Sequence, residues 1–127
     1  MVSMELKITI SHIKILDSIY YFNKLDLFPN VETILNILNG NKEYLDDLSI
    51  KCPTYETLLS ISGRKLKSKI KMLNRYKYVD LIYSRNSEEP FLKLSNNGEL
   101  SLIKYKEKHK LNYKKRRVIS NKINYIN

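Results

Sequence analysis

The stretch GRKLKSKIKMLNRYKYV, residues 63–79, carries seven basic residues and no acidic one. Leu66, Ile70 and Leu73 recur at i, i+4 and i+7, and Arg64, Ser68, Lys71 and Arg75 at i, i+4, i+7 and i+11. At about 100° per residue, the two sets fall on opposite faces of one helix. One face then enters a core, and the other holds a row of cations suited to binding phosphate. Lys65 and Lys67 add to the same charge. Ser62, Gly63 and Arg64 stand at the start of this helix, where free backbone N–H groups and the helix dipole favour an anion. A second basic block, Lys114, Lys115, Arg116 and Arg117, lies near the C-terminus.

Other chemistries find less support. Asp46-Asp47 and Glu88-Glu89 are adjacent pairs in loop-like sequence, and neighbouring side chains there usually diverge. Cys52 is the single cysteine and has no His with an acidic partner, so it reads as a packing residue. His12 and His109 lie far apart without ligand spacing and read as surface or half-buried residues. No Gly-rich phosphate loop is present. The expectation is a non-enzymatic chain that needs neither metal nor cofactor.

The chain of 127 residues is one domain's worth, and 43% hydrophobic content is ordinary for a folded protein. No run of about 18 apolar residues suggests a membrane span. The start, MVSMELKITISH, lacks a charged region leading into an apolar one, so no signal peptide is expected. The expected location is cytoplasmic, nucleoid-associated in a bacterium. Net charge is +10, unevenly placed. Residues 63–77 hold seven Lys or Arg and no acid, and residues 104–127 hold nine against Glu107 alone. Elsewhere seven bases face twelve acids, a segregation that a lysine-rich composition does not produce by itself.

Several elements must position the basic helix. Residues 11–27 predict a well-buried helix, because their apolar positions cover most of its circumference. Asn30 is suited to cap a helix over 31–39 that Gly40 ends. The segment NKEYLDDLSIKCP reads as a connection, with one turn around 44–48. Thr54 is suited to cap a short helix over 55–60, which Ser62-Gly63 would break before capping the next. Residues 78–84 and 91–94 predict two strands joined by a polar tip with Arg85 and Asn86. Ser95 then caps a last helix over 96–110, with Leu100 and Ile103 expected to face inward. The fold expected is mainly α with a small β-hairpin, a winged helix-turn-helix over residues 1–110 followed by a basic tail over 111–127. Tyr20, Tyr55 and Tyr78 are expected in the core rather than stacked on bases. The tail reads as an arm that finds DNA, with two alternatives: a homodimer helix through Ile119, Ile123 and Ile126, or no function.

These segments resemble a known family, the RQC domain, the winged-helix module at the C-terminal side of RecQ-type DNA helicases. KILDSIYYF is similar to its first helix, and VETILNILNGNK to its hydrophobic helix followed by Leu-x-Gly-x-Lys. TYETLLSISGRKLKSKIKMLNRYKYVDL resembles, without a gap, the family's Thr-Tyr start, Ser at the helix entry, spaced apolar residues and terminal Gly-Tyr-Leu. Thr54, Tyr55, Ser62, Leu66, Ile70, Leu73 and Tyr78 occupy matching positions. PFLKLSNNG resembles Pro-x-Leu-x-Leu-Thr-x-x-Gly after the wing. The similarity covers roughly residues 11–103. Glu56 and Lys77 stand where the family has glycine, and neither a Gly-x-x-x-x-Gly-Lys-Ser/Thr loop nor a Cys-rich zinc module is present. The resemblance is therefore to the DNA-binding part of such a helicase, standing alone, and unwinding does not carry over.

What the resemblance implies is DNA held at the helix entry, around Thr54 and Ser62 to Arg64, with a wing that engages a duplex end or junction. It also implies a partner in DNA repair or replication. Some family members wedge a wing-tip residue between base pairs. Here residues 84–90 hold no aromatic, and Glu88 and Glu89 repel phosphate, so duplex or junction binding is expected without strand separation. Two other readings stay open. A transcriptional regulator would read an operator as a dimer, for which only Ser68 and Asn74 join the Arg and Lys residues of the basic helix. A protein-interaction winged helix would leave both basic blocks without a role.

Overall fold

The computed structural model describes residues 6–109. Lys114, Lys115, Arg116, Arg117 and the isoleucines of the expected dimer helix lie outside the described residues. The described chain is mainly helical: α1 (Ile10–Asn23), α2 (Val31–Asn39), α3 (Asp47–Ile50), α4 (Gly63–Arg75) and α5 (Asn96–His109), with a 3-10 turn at Lys42–Tyr44. Strands β1 (Val79–Ile82) and β2 (Phe91–Leu94) form an antiparallel hairpin between α4 and α5, pairing Val79 with Leu94 and Leu81 with Leu92. Among the described residues no helix is long and apolar enough to cross a membrane.

Helix α1 is the centre of the packing. Ile13, Ile15, Leu16 and Ile19 are fully buried, and α1 touches α2, α4, β2 and α5. This is the burial on most sides that its apolar pattern predicts. The helix ends at Asn23 rather than at 27. Asp26 takes a left-handed conformation, φ 59°, while Leu27 N–H bonds back to Phe22 O and Asp26 N–H to Asn23 O. That paired closure stops a helix, and it leaves Leu25 and Leu27 exposed. The Asn23 side chain turns outward to β2. Its Oδ1 accepts from Leu94 N at 2.8 Å, and its Nδ2 donates to Leu92 O at 3.3 Å. Pro29 O accepts from Leu92 N at 2.8 Å, so a side-chain amide and a loop carbonyl cover the outer edge of β2.

Helix α2 has its expected bounds. Asn30 caps its start, and Gly40, at φ 71°, closes its end with Asn41 N–H bonded to Asn36 O. The expected short helix over 55–60 is not formed. Glu56 and Ser60 have positive φ, 63° and 67°, which an α-helix cannot contain. Residues 51–60 instead turn repeatedly and dock on the end of α2, where Glu56 N–H bonds Ile37 O and Leu58 N–H bonds Leu38 O. Helix α4 packs against α2 and α1 with Leu66, Ile70 and Leu73 buried, as the pattern predicts.

Helix α5 sits in a different rotation from the one expected. Leu100 and Ile103 face solvent at 58% and 38% exposure, while Gly98 and Leu102 are buried. Two contacts set that rotation. A Cβ at Gly98 would lie 2.0 Å from Tyr78 O, so only glycine permits this approach to the chain entering β1. Two turns further on, Lys106 Nζ reaches the buried Asp17 carboxylate of α1 at 3.2 and 3.3 Å.

Two local features yield stability tests. Thr9 and His12 cap α1 reciprocally: His12 Nδ1 accepts from Thr9 N–H at 3.1 Å, and Thr9 Oγ1 accepts from His12 N–H. His12 is buried, and burial, with Lys69 nearby, holds its pKa below the ordinary 6.5. The neutral ring belongs to the folded state, so this contribution is full above pH 6.5 and is lost as pH falls through the lower folded value. Thermal melts should show stability falling as pH drops below 6.5, and His12→Gln should flatten that fall. An equal fall in both proteins would remove the cap as the titrating element. At the end of α4, Lys77 has φ 66°, with its N–H on Asn74 O and Tyr78 N–H on Leu73 O. Lys77→Gly should therefore raise stability by about 1 kcal/mol in urea unfolding; a loss would show that the Lys77 side chain has a packing role.

Candidate nucleic-acid interface

The start of α4 is capped by the residue that precedes it. Ser62 is extended, φ −79° and ψ 155°, and its Oγ accepts from Lys65 N at 3.1 Å. The approach to it is fixed from α2, where Asn39 Nδ2 donates to Ile61 O at 3.0 Å. Gly63 is half-buried, 3.7 Å from Leu35 Cδ2 as measured from an added Cβ, so α2 and the first turn of α4 lie side by side.

From that entry the outer face of α4 forms one wall of a groove of about 690 Å³. Arg64, Lys67, Ser68 and Lys71 line it from α4, and Val31, Glu32 and Leu35 from the first turns of α2. It continues toward the hairpin as a space of about 280 Å³, where Ile70 and Leu81 add apolar floor and Tyr83, Glu88 and Glu89 supply the far wall. Arg64, Ser68, Lys71 and Arg75 are all exposed, as the helical spacing predicts. The groove is therefore a mixed surface, apolar at its base, with cations on α4 and carboxylates on the elements facing them. Glu89 Oε1 lies 3.9 Å from Lys67 Nζ, both side chains being about half exposed.

The structure divides the residues marked out by sequence into separate places. Ser62, Gly63, Arg64, Lys67, Ser68, Lys71 and Arg75 share the helix entry and its outer face. Lys65 lies on the other flank, where with half-buried Lys69 it lines a smaller cleft against Ser11 and residues 58–61. Arg85 and Asn86 are exposed at the hairpin tip, where Asn86 N–H bonds Ser84 Oγ. Thr54 is fully buried, its hydroxyl between Ser18 Oγ and Cys52 Sγ, the latter at 3.2 Å. Its side chain thus joins α1 to the loop and is not presented to a ligand, which corrects the expectation that Thr54 contacts DNA. The matching Thr-Tyr pattern has a structural cause here, since Thr54 O also accepts from Thr57 Oγ1 and Tyr55 is buried in the core.

Asn74 is likewise committed, donating from Nδ2 to Val79 O at 2.9 Å. Glu32, Leu35 and Glu89 are groove residues that the sequence does not place there. Their signal was readable only in part: Glu32 as an acid in a helix first turn, Leu35 as one of an apolar set, Glu89 as a carboxylate near the tip. Among the described residues no group of three or more His, Cys, Asp or Glu could hold a metal ion. Cys52 is buried, and burial pushes its thiol up from its ordinary pKa, which keeps it protonated and unreactive.

Comparison with models of protein families, with curated proteins and with solved structures finds no match in any of the three.

The N-cap supplies a test of how the entry is held. Ser62→Ala removes the acceptor for Lys65 N and should cost about 1 kcal/mol in chemical denaturation. Ser62→Asp should retain most of that stability by restoring the cap. If both variants unfold alike, Ser62 does not organise the entry.

Proposed function

We propose that this chain is a non-enzymatic DNA-binding protein of winged-helix type, which holds duplex or branched DNA through backbone phosphates with little sequence specificity. One observation carries the reading. The N-terminal turn of α4 and the exposed row Arg64, Ser68, Lys71 and Arg75 lie on one surface beside a hairpin that projects from the end of the same helix. Free N–H groups at the helix entry take one phosphate, and the row of cations neutralises the strand that follows. Arg85 and Asn86 at the tip extend the same contact by one arm.

The resemblance to the RQC domain gains support from the backbone. Glu56 and Lys77 stand where that family has glycine, and both adopt positive φ, 63° and 66°. The conformation that favours glycine is thus present at both positions although the residues differ. Gly98, matched in the family pattern after the wing, is also needed for its approach to Tyr78 O. Asn74 weighs against an operator-reading regulator, because its amide is engaged with Val79 O and only Ser68 is left to accompany the cations.

A competition assay with forked, duplex and single-stranded probes at two salt concentrations tests the proposal. Binding to forked or blunt duplex should dominate, with a log–log salt slope of roughly −3.5 to −5.5 for about four to six neutralised phosphates. Arg64→Glu combined with Lys71→Glu should weaken binding by about 100-fold or more at moderate salt. Unchanged affinity in that variant would remove α4 as the contact. One sequence outcompeting random duplex by about 10³ would establish the regulator reading instead.

A further inference from the structure

The groove beside α4 contains its own anions. Glu89 reaches from the hairpin to Lys67, Glu88 lines the hairpin end of the same groove, and Glu32 lines the α2 end. Three cations of α4 thus share a groove with three carboxylates from other elements. The arrangement is not explained by stability. At 3.9 Å, with 59% and 50% of the side chains exposed, the Lys67–Glu89 pair is the open, solvated kind that contributes little to folding. Its consequence lies in binding. A phosphate arriving at Lys67 meets a charge that is already compensated within the protein, so fewer counterions are there to be released.

We propose that Glu89, supported by Glu88, is an intramolecular competitor for phosphate that sets the affinity of the α4 surface for DNA. This rests on the DNA-binding reading above. The carboxylate occupies the approach to Lys67 from the hairpin side, and a DNA strand that enters the groove displaces the Glu89 side chain from it. Among the described residues Glu89 pairs with Lys67 rather than with Arg64, so the first phosphate is held at the helix entry, and Lys67 engages only after the Glu89 carboxylate has swung away. Glu89 is thus a specificity-determining residue. It penalises a strand whose phosphates run unbroken across both α4 and the wing base, and penalises less a contact confined to the helix entry.

The test compares Glu88→Gln/Glu89→Gln with a control of equal net charge, Glu43→Gln/Glu99→Gln, whose residues are exposed and do not line this groove. Affinity for a short blunt duplex is measured across a salt series, with Arg64→Glu/Lys71→Glu run alongside. The wing variant should bind about tenfold more tightly at low salt, and its log–log salt slope should steepen by about 0.9, the amount for one more phosphate. The control should gain clearly less than the wing variant, because neither residue lines the groove and its effect is only that of net charge. Lys67→Gln should cost little in the natural chain and should abolish the gain when added to the wing variant. If Arg64→Glu/Lys71→Glu loses binding while the wing variant gains no more than the control, the competitor is overturned and the DNA-binding reading stands. If neither the natural chain nor the wing variant binds any DNA, both fall.

Discussion

Ile13, Ile15, Leu16 and Ile19 leave α1 almost no solvent face, and each neighbouring element takes its place by covering one of its sides. An amphipathic helix needs one apolar contact; a helix apolar on most sides needs several, and so brings remote segments together. Its polar positions act in the same way. Lys14 Nζ donates to Thr57 O at 2.6 Å, Ser18 meets Thr54, and Asp17 meets Lys106. Leaving such buried polar atoms without partners would cost more than an exposed hydrogen bond contributes, and among the described residues no fully buried side-chain polar atom lacks one. The loop before α4 is held by this helix together with the end of α2, and the rotation of α5 by this helix together with the chain entering β1, rather than by their own local sequence.

That dependence explains which parts of the fold were legible in the sequence. Helices α2 and α4 are bounded by Asn30, Gly40 and Ser62, residues whose side chains or conformations end helices locally, so their limits follow from types and spacing alone. The segment 55–60 has an ordinary helical composition, and what prevents a helix is docking on Ile37 and Leu38 through backbone bonds. Leu100 and Ile103 form the more obvious apolar pair of α5, yet the buried side is marked by Gly98, Leu102 and Lys106. A close backbone approach and a half-buried ion pair prevail over two large apolar side chains, and neither is visible without the partner element. At the candidate site, the exposed cations follow from helical periodicity. The carboxylates that face them come from residues 32 and 89, and only the tertiary fold joins those to α4.

Helix α4 also separates its cations by task. Arg64, Lys67 and Lys71 face the groove, whereas Lys69 lies half-buried on the flank nearest His12, where its charge adds to the effect of burial in favouring the neutral ring. A uniform count of basic residues would overstate the charge available to a ligand on any single side. Lys77 belongs to neither group, since its left-handed backbone closes the helix and turns the chain into β1.

The covering of β2 by Asn23 and Pro29 has a mechanical consequence. The hairpin is clamped along its outer edge to the end of α1 and the loop after it, while its inner strand follows from α4. A force applied at Arg85 or Asn86 therefore bends the hairpin about a fulcrum at Leu92 and Leu94, and the load passes into the central helix. The free lever is the part beyond that clamp, from residue 83 to residue 90, and the Glu89 side chain sits near its root. Beyond the clamp the tip is held by its own turn bonds, Ser87 N–H on Ser84 O and Ser87 Oγ on Glu89 O.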